Sequence, residues 1–433
     1  MLAQDTISHL AQDTISHRTN RLADLIAAQR EGWSLDRLFY TDEEIYRLDL
    51  EAIFKRYWLY AGHASRIPRP GDYVTYQVGD EPLIIIRGAD DEVNALYNVC
   101  RHRGSLVCLG ESGHVKKLAC PYHQWIYETD GRLAHARHMP QGFDKADFAL
   151  DRAHARVFHG HIFVSLAETP PDFERVEREL GTLFAPYGLG RTKVAHTATY
   201  EVASNWKILL ENFRECYHCG AAHPEYCRAV AGARAGASIL DRENHALIAD
   251  REDDVTRVYD QDNGDGEPFA SRGFPLRPGM WHLGGPYPFG PGFVSQTIDG
   301  QPAAPPLGAM ASRPPEIVGA VVFPTFVSEI SPDYAFVLRF TPLAPTRTEA
   351  QVTWLVREDA VEGVDYDRER LAAFWKATGE QDWTICANNQ RGVNSSRYRP
   401  GPYSTMETDL TYLTQWYLDE LKRMISAAAW RDR

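Results

Sequence analysis

The sequence has no apolar run long enough to cross a bilayer. Its longest, Leu83–Ile86 and Ile317–Val327, fall far short of the roughly 20 residues a membrane helix needs. It also has no run of Lys or Arg to set against a net charge of −13, which argues against nucleic acid or anionic lipid as the main partner. No N-terminal segment combines a basic patch, an apolar core and a small-residue cleavage site, so the expectation is a cytoplasmic protein. Cysteine is scarce and odd in number, seven in 433 residues. In a reducing compartment such residues serve as metal ligands or buried thiols, and no structural disulfide is expected. No Gly-rich strand-to-helix motif is present to cradle a dinucleotide.

What is present is an ordinary globular composition, 44% hydrophobic and 24% charged, long enough for two or three domains. The octapeptide Leu2–His9 recurs unchanged at Leu10–His17, too short a repeat for a solenoid, and carries no functional reading. Residues 1–55 read as a helical lead-in, with Thr41-Asp42-Glu43-Glu44 as a helix start. Residues 56–166 change to short β-branched and aromatic runs between Gly and Pro: Tyr73–Val78, Leu83–Arg87, Val93–Val99 and Arg156–Ser165. Residues 167–433 alternate helical segments (Phe173–Phe184, Trp206–Cys219, Arg368–Asn388, Leu410–Met424) with strands (Val194–Val202, Tyr334–Phe340, Ala350–Val356). The fold class expected is α+β. Between Gly273 and Pro315 no period is visible, as in a long functional loop.

Two constellations carry chemistry. The first is Cys100-Arg-His102-Arg-Gly104 followed downstream by Cys120-Pro-Tyr-His123-Gln-Trp125. A Cys-x-His pair and a Cys-x-x-His pair, each on a turn marked by Gly104 or Pro121, can bring ligands from two adjacent loops to one small cluster. Structural zinc, the alternative, more often uses Cys-x(2-4)-Cys, whereas a Rieske [2Fe–2S] centre has two thiolates on one iron and two imidazoles on the other. Respiratory Rieske proteins carry an extra cysteine in each loop; here Tyr122 stands in the second, which fits the lower-potential oxygenase type. Cys108 reads as a buried small hydrophobe.

The second constellation is the run Asn205–Pro224. On an unbroken helix Glu211, Glu215 and His218 stand at i, i+4 and i+7, on one face. His223 falls about 140° round from His218. Both histidines can reach one metal only if the helix ends or bulges between them, and Gly220 and Pro224 supply that break. Two neutral imidazoles and a carboxylate make the facial triad of non-haem iron(II), with positions left for oxygen and substrate. Two histidines near a helix end are also a common structural pair, and the third ligand must come from elsewhere.

From about Trp33 to Leu421 the chain resembles the Rieske non-haem iron oxygenase alpha subunits. The resemblance implies a Rieske domain followed by a helix-grip catalytic domain, with Cys100, His102, Cys120 and His123 on the cluster and His218, His223 and Asp382 on the mononuclear Fe(II). Taken alone, Asp382 reads as a solvated helix carboxylate, and Glu380 is its rival. Glu215, with Asn212 beside it as a second catalytic candidate, stands where most relatives have an aspartate linking this iron to a Rieske histidine of a neighbouring subunit. The resemblance therefore also implies a homotrimer, O2 as co-substrate, and electrons from NADH through a ferredoxin or flavin reductase.

The Glu215-Cys-Tyr-His-Cys219 context and the runs Asp359–Tyr366 and Asn389–Ser404 resemble the branch acting on quaternary ammonium compounds, the glycine betaine monooxygenases and proline betaine demethylases. Ala387 departs from the glutamate many relatives have. The implied reaction is N-methyl hydroxylation with formaldehyde release; hydroxylation of an aromatic substrate and a non-catalytic electron-transfer role are the alternatives. A quaternary ammonium needs aromatic faces. Trp281, Tyr287, Phe289 and Phe293 could supply them or could be loop-packing residues, and a betaine carboxylate would want an Arg or backbone donors.

Overall fold

A computed structural model describes residues 21–235 and 279–431. The Leu2–His17 repeat and the first residues of the expected loop at Gly273 lie outside the described residues. The lead-in contains α1 (Leu38–Thr41) and α2 (Glu43–Asp49). Asp42 starts α2 as expected, its carboxylate accepting from the amides of Glu44 and Ile45, which satisfies two of the free N–H groups at a helix start.

The β-branched runs that follow become β1 (Leu59–His63), β2 (Asp72–Val78), β3 (Glu81–Arg87), β4 (Val93–Tyr97), β5 (Ser112–His114), β6 (Leu118–Ala119), β7 (Ile126–Tyr127), β8 (Leu133–His135), β9 (Arg152–Phe158) and β10 (His161–Ser165). Seven form one sheet in the order β1-β10-β9-β4-β3-β2-β5, while β6-β7-β8 form a small separate sheet. The single strand expected over Arg156–Ser165 is instead a hairpin, Phe158 pairing with His161 across His159 and Gly160. The apolar run continues through the turn, but His159 and Gly160 take φ of 48° and 83°, the left-handed pair of a tight hairpin turn. A Cβ on Gly160 would lie 2.4 Å from His63 Nε2. Gly160→Ala is therefore expected to cost about 1–3 kcal/mol, read as a lower thermal midpoint.

The remainder is one large antiparallel sheet in the order β11-β16-β15-β14-β13-β12. Its strands are β11 (Thr192–Val202), β12 (His282–Tyr287), β13 (Ile317–Val322), β14 (Phe326–Ile330), β15 (Ala335–Ala344) and β16 (Arg347–Arg357). The expected loop between Gly273 and Pro315 thus holds a strand, β12, buried at every residue. Around the sheet lie α3 (Glu174–Phe184), α4 (Trp206–Asn212), α5 (Cys219–Ala222), α6 (Tyr226–Ala229), α7 (Arg368–Val393) and α8 (Thr408–Arg431). The long α7 packs against α4 and β11, and the fold is α+β as expected.

One buried polar cluster ties three parts of the chain together. Asp49, at the end of α2 and with no exposed surface, accepts from Lys207 Nζ, from Trp206 Nε1 at 3.0 Å and from Tyr417 Oη at 2.7 Å. The Lys207 ammonium sits 4.8 Å from the ring centroids of both Trp206 and Tyr417. Burial pushes the Asp49 carboxyl up and the Lys207 ammonium down, so each keeps its charge chiefly because of the other.

Candidate functional site

In the first constellation both loops close the same way. The Cys100 amide donates to Ser105 O at 2.8 Å and the Gly104 amide to Cys100 O at 2.9 Å; the Cys120 amide donates to Trp125 O at 2.8 Å and the Gln124 amide to Cys120 O at 3.0 Å. The fourth residue after each cysteine takes positive φ, 75° at Gly104 and 58° at Gln124. In the second loop Gln124, rather than Pro121, therefore makes the turn. Cys100 and Cys120 are buried, 3% and 2% exposed, whereas His102 and His123 are exposed with ring centroids 4.6 Å apart. Trp125 stacks on His102 at 4.9 Å. Tyr127 Oη lies 3.2 Å from Cys100 Sγ and accepts from the Arg101 amide at 3.1 Å. Two thiols inside and two imidazoles outside suit a two-iron cluster whose histidine-bound iron faces the surface. Cys108 is buried in the same core, as expected.

The second constellation forms by a break in the chain. The helix expected to run from Trp206 to Cys219 stops at Asn212, so Glu211, Glu215 and His218 do not share a face. Glu211 turns away to accept from Tyr40 Oη at 2.9 Å, and burial pushes its carboxyl up to about 7. Beyond Asn212 the chain folds back, the Cys219 amide donating to Cys216 O at 3.0 Å. This turn brings the two Cα atoms within 4.9 Å and the sulfurs are bonded, contrary to the expected absence of disulfides. The close approach is within the span a disulfide bridges. Cys100, Cys108, Cys120, Cys227 and Cys386 are free.

His218 and His223 flank the one-turn α5, and His223, preceding Pro224, leaves the helix at φ −123°, ψ 75°, as a residue before proline tends to. The Nε2 atoms of the two histidines lie 3.0 Å apart. Asp382 Oδ1, from α7, lies 3.0 Å from His223 Nε2 and 3.4 Å from His218 Nε2. Glu380 is exposed, which leaves Asp382 the better placed of the two. His218 Nδ1 donates to Glu215 Oε1 at 2.5 Å and His223 Nδ1 to Gln381 Oε1 at 2.7 Å. With both Nδ1 protons committed outward, two ring lone pairs and a buried carboxylate oxygen converge within 4.8 Å. Such convergence is repulsive unless a cation sits among the three atoms, so the donor set fits a divalent metal held by two imidazoles and a carboxylate. Without a metal the site takes up a proton instead: burial works against a charge on His218, but hydrogen bonds with Asp382 and Glu215 prevail and push its pKa up to about 9, and metal binding would displace that proton. Asp382, which burial alone would push up, is held low by His218 and His223.

Glu215 also accepts from the His218 amide at 3.2 Å, and Asn212 Nδ2 lies 3.4 Å from His218 Nε2. A cavity opens beside the triad, lined also by Phe213, Arg214, Tyr226, Glu329, Trp375 and Thr378. Of the aromatics weighed from sequence, Trp281 is a core residue, packed against Tyr57 and Phe173 with centroids 5.7 and 6.1 Å away. Phe289 and Phe293 also pack on the core. Tyr287 reaches the cavity wall indirectly, donating to Glu329. Sequence reasoning missed Arg214, Tyr226, Glu329, Trp375 and Gln381. The visible signal was Glu329, a lone carboxylate in the apolar run Phe326–Ile330.

Residues 57–155 match the Rieske [2Fe–2S] domain family and residues 189–423 the catalytic domain of the ring-hydroxylating alpha subunits. The chain is 37% identical over 402 residues to the glycine betaine monooxygenase oxygenase subunit of Pseudomonas aeruginosa, covering 92% of this chain and 91% of that one. It is 33% identical over 217 residues to the carnitine monooxygenase oxygenase subunit of Acinetobacter baumannii, 48% of this chain and 57% of that protein. In fold it is similar to the solved structure of a quaternary ammonium Rieske monooxygenase, with TM-score 0.70 and 22% identity over 91% of this chain and 97% of that one.

Proposed function

The chain belongs to the Rieske oxygenase alpha subunits, and on that premise we propose that it is the oxygenase component that hydroxylates an N-methyl carbon of glycine betaine or a close betaine relative. The observation that carries this reading is the near full-length match to a glycine betaine monooxygenase oxygenase subunit. The cluster and the mononuclear iron, when bound, supply electrons one at a time and a centre for reducing dioxygen. In the overall reaction one oxygen atom enters an N-methyl C–H bond, and the other leaves as water with two electrons and two protons. The N–CH2OH product then breaks its C–N bond to give formaldehyde and the demethylated amine.

In this reading Cys100 and Cys120 hold the buried iron of the cluster, and His102 and His123 the exposed one. His218, His223 and Asp382 hold the mononuclear iron. Gln381 and Glu215 fix the imidazoles through their Nδ1 protons, which keeps each Nε2 available to metal. Glu215 also lies on the route by which electrons would arrive from the imidazole pair of a neighbouring copy, so the assembly proposed is a homotrimer served by a separate NADH-dependent ferredoxin or flavin reductase in the cytoplasm. Asn212 Nδ2, 3.4 Å from His218 Nε2, borders the metal-facing side of that ring. A protein that only relayed electrons would have no use for the second convergent donor set.

The test is NADH-driven formaldehyde release with a generic reductase, using protein with its cluster and mononuclear iron loaded and glycine betaine, proline betaine, carnitine and choline in parallel. Formaldehyde from glycine betaine or proline betaine is the expected outcome. None from any of the four, with active reductase, would overturn the reading in favour of an aromatic-type oxygenase.

A further inference from the structure

The cavity is lined by a carboxyl and a guanidinium, Glu329 and Arg214, that neither hold the metal nor serve the reaction as proposed. Glu329, on β14, is fixed by three neutral donors: Tyr226 Oη at 3.0 Å to Oε1, Gln296 Nε2 at 2.6 Å to Oε2, and Tyr287 Oη to Oε2. These bonds fix where the carboxyl sits; burial pushes it up to about 7 while the three donors and Arg214 hold it down, so a cation bound against it favours the negative form. Arg214 is only 5% exposed. Its Nη2 donates to Asp409 at 2.5 Å and its Nη1 to Phe213 O at 3.4 Å, while its Nε has no partner. A buried guanidinium N–H without an acceptor is costly, and this one belongs to a side chain that lines the cavity. The same cavity is lined by the rings of Tyr226 and Trp375, centroids 5.9 Å apart and inclined at 62°.

A trimethylammonium group has no proton to donate, so it is recognised by negative charge and aromatic faces. A carboxylate is recognised by a guanidinium. We propose that Glu329 and Arg214 are the two poles of a zwitterion site, Glu329 with Tyr226 and Trp375 taking the quaternary ammonium and Arg214 Nε taking the carboxylate. The Tyr226 ring lies 6.4 Å from that of His223, so a methyl group held against it is beside a metal-binding imidazole. The proposal rests on the betaine reading above and deepens it: the site selects molecules with both charges, and choline, which lacks the carboxylate, fits half of it.

Three probes separate the poles in equilibrium binding to the anaerobic, metal-loaded oxygenase: glycine betaine, choline, and 3,3-dimethylbutanoate, whose tert-butyl group replaces the trimethylammonium without its charge. Glu329→Gln is expected to weaken glycine betaine and choline by about tenfold or more while 3,3-dimethylbutanoate binds at least as well, which also shows that the cavity is intact. Arg214→Lys, which keeps a positive charge towards Asp409, is expected to weaken glycine betaine and 3,3-dimethylbutanoate together and to spare choline. Unchanged glycine betaine binding by Glu329→Gln, or equal loss of all three probes, would overturn the proposal. If the wild-type enzyme releases formaldehyde from glycine betaine and Glu329→Gln binds it normally, only this inference fails; if the wild type releases none from any betaine, the underlying function fails with it.

Discussion

Replacing His223 by alanine is expected to reduce amine-dependent formaldehyde release to background while leaving the visible and EPR signature of the cluster unchanged. His223 is 2% exposed, and its Nε2 lies 3.0 Å from both His218 Nε2 and Asp382 Oδ1. Alanine removes one of three converging donors and leaves a buried carboxylate facing a single imidazole. A two-ligand site in place of a facial triad would not retain iron against dilution. Iron content should therefore fall from about three atoms per chain to about two, the two being those of the cluster. The cysteines and histidines of that cluster sit on loops of a different sheet and share no hydrogen bond with the second site, so their spectrum is the internal control. Turnover persisting at two irons per chain would remove the assignment of His218, His223 and Asp382 as the mononuclear site.

A second large effect belongs to stability. Asp49→Ala is expected to cost about 3–5 kcal/mol, because it strands the Lys207 ammonium in the core together with the indole N–H of Trp206 and the hydroxyl of Tyr417. Removing the opposing charge at the same time should restore much of the loss. Asp49→Asn with Lys207→Met keeps an acceptor for Trp206 and Tyr417 and leaves no buried ion unpaired. The comparison is by denaturant titration of the single and double variants, and a double variant no more stable than Asp49→Ala would contradict the account. Lys207 is on α4, the helix that ends at Asn212 and releases the chain into the turn bearing Glu215 and His218. Loss of this anchor should therefore lower mononuclear iron retention before it unfolds the cluster-bearing sheet.

The parts of the site legible in the sequence were those whose residues are neighbours along the chain. Cys100 and His102, and Cys120 and His123, lie within single turns, so ligand spacing carried them; His218 and His223 are close along the chain, but spacing left them open as a structural pair and the resemblance assigned them to iron. Asp382 comes from a distant helix and was reachable only by resemblance, because nothing local separates it from the exposed Glu380 two residues earlier. The continuous helix to Cys219 failed for a physical reason. The apolar run Ile208–Leu210 suits a helix, but Glu211 is drawn to Tyr40, a contact across 171 residues of chain, and the following turn is closed by a disulfide. The cavity was illegible because its walls come from α4, α6, α7 and β14, and aromatic residues chosen from a Gly- and Pro-rich stretch could not be told apart from core residues. Phe326–Ile330 did carry a clue in the carboxylate at Glu329, whose partners Tyr226, Tyr287 and Gln296 come from three separate parts of the chain.

The helix α7 bears Trp375 and Thr378 on the cavity wall, Gln381 on His223, and Asp382 at the triad. One rigid rod thus carries both the shape of the pocket and the chemistry of the metal, and a single-residue insertion ahead of Trp375 would rotate all four by about 100° relative to the start of the helix. Variation that reshapes the pocket here comes with a high risk of detuning the iron. Divergence towards new amines, by natural drift or by directed libraries, has a freer path on the wall where Glu329 and Tyr287 sit on β14 and β12, strands that hold none of the three proposed metal ligands.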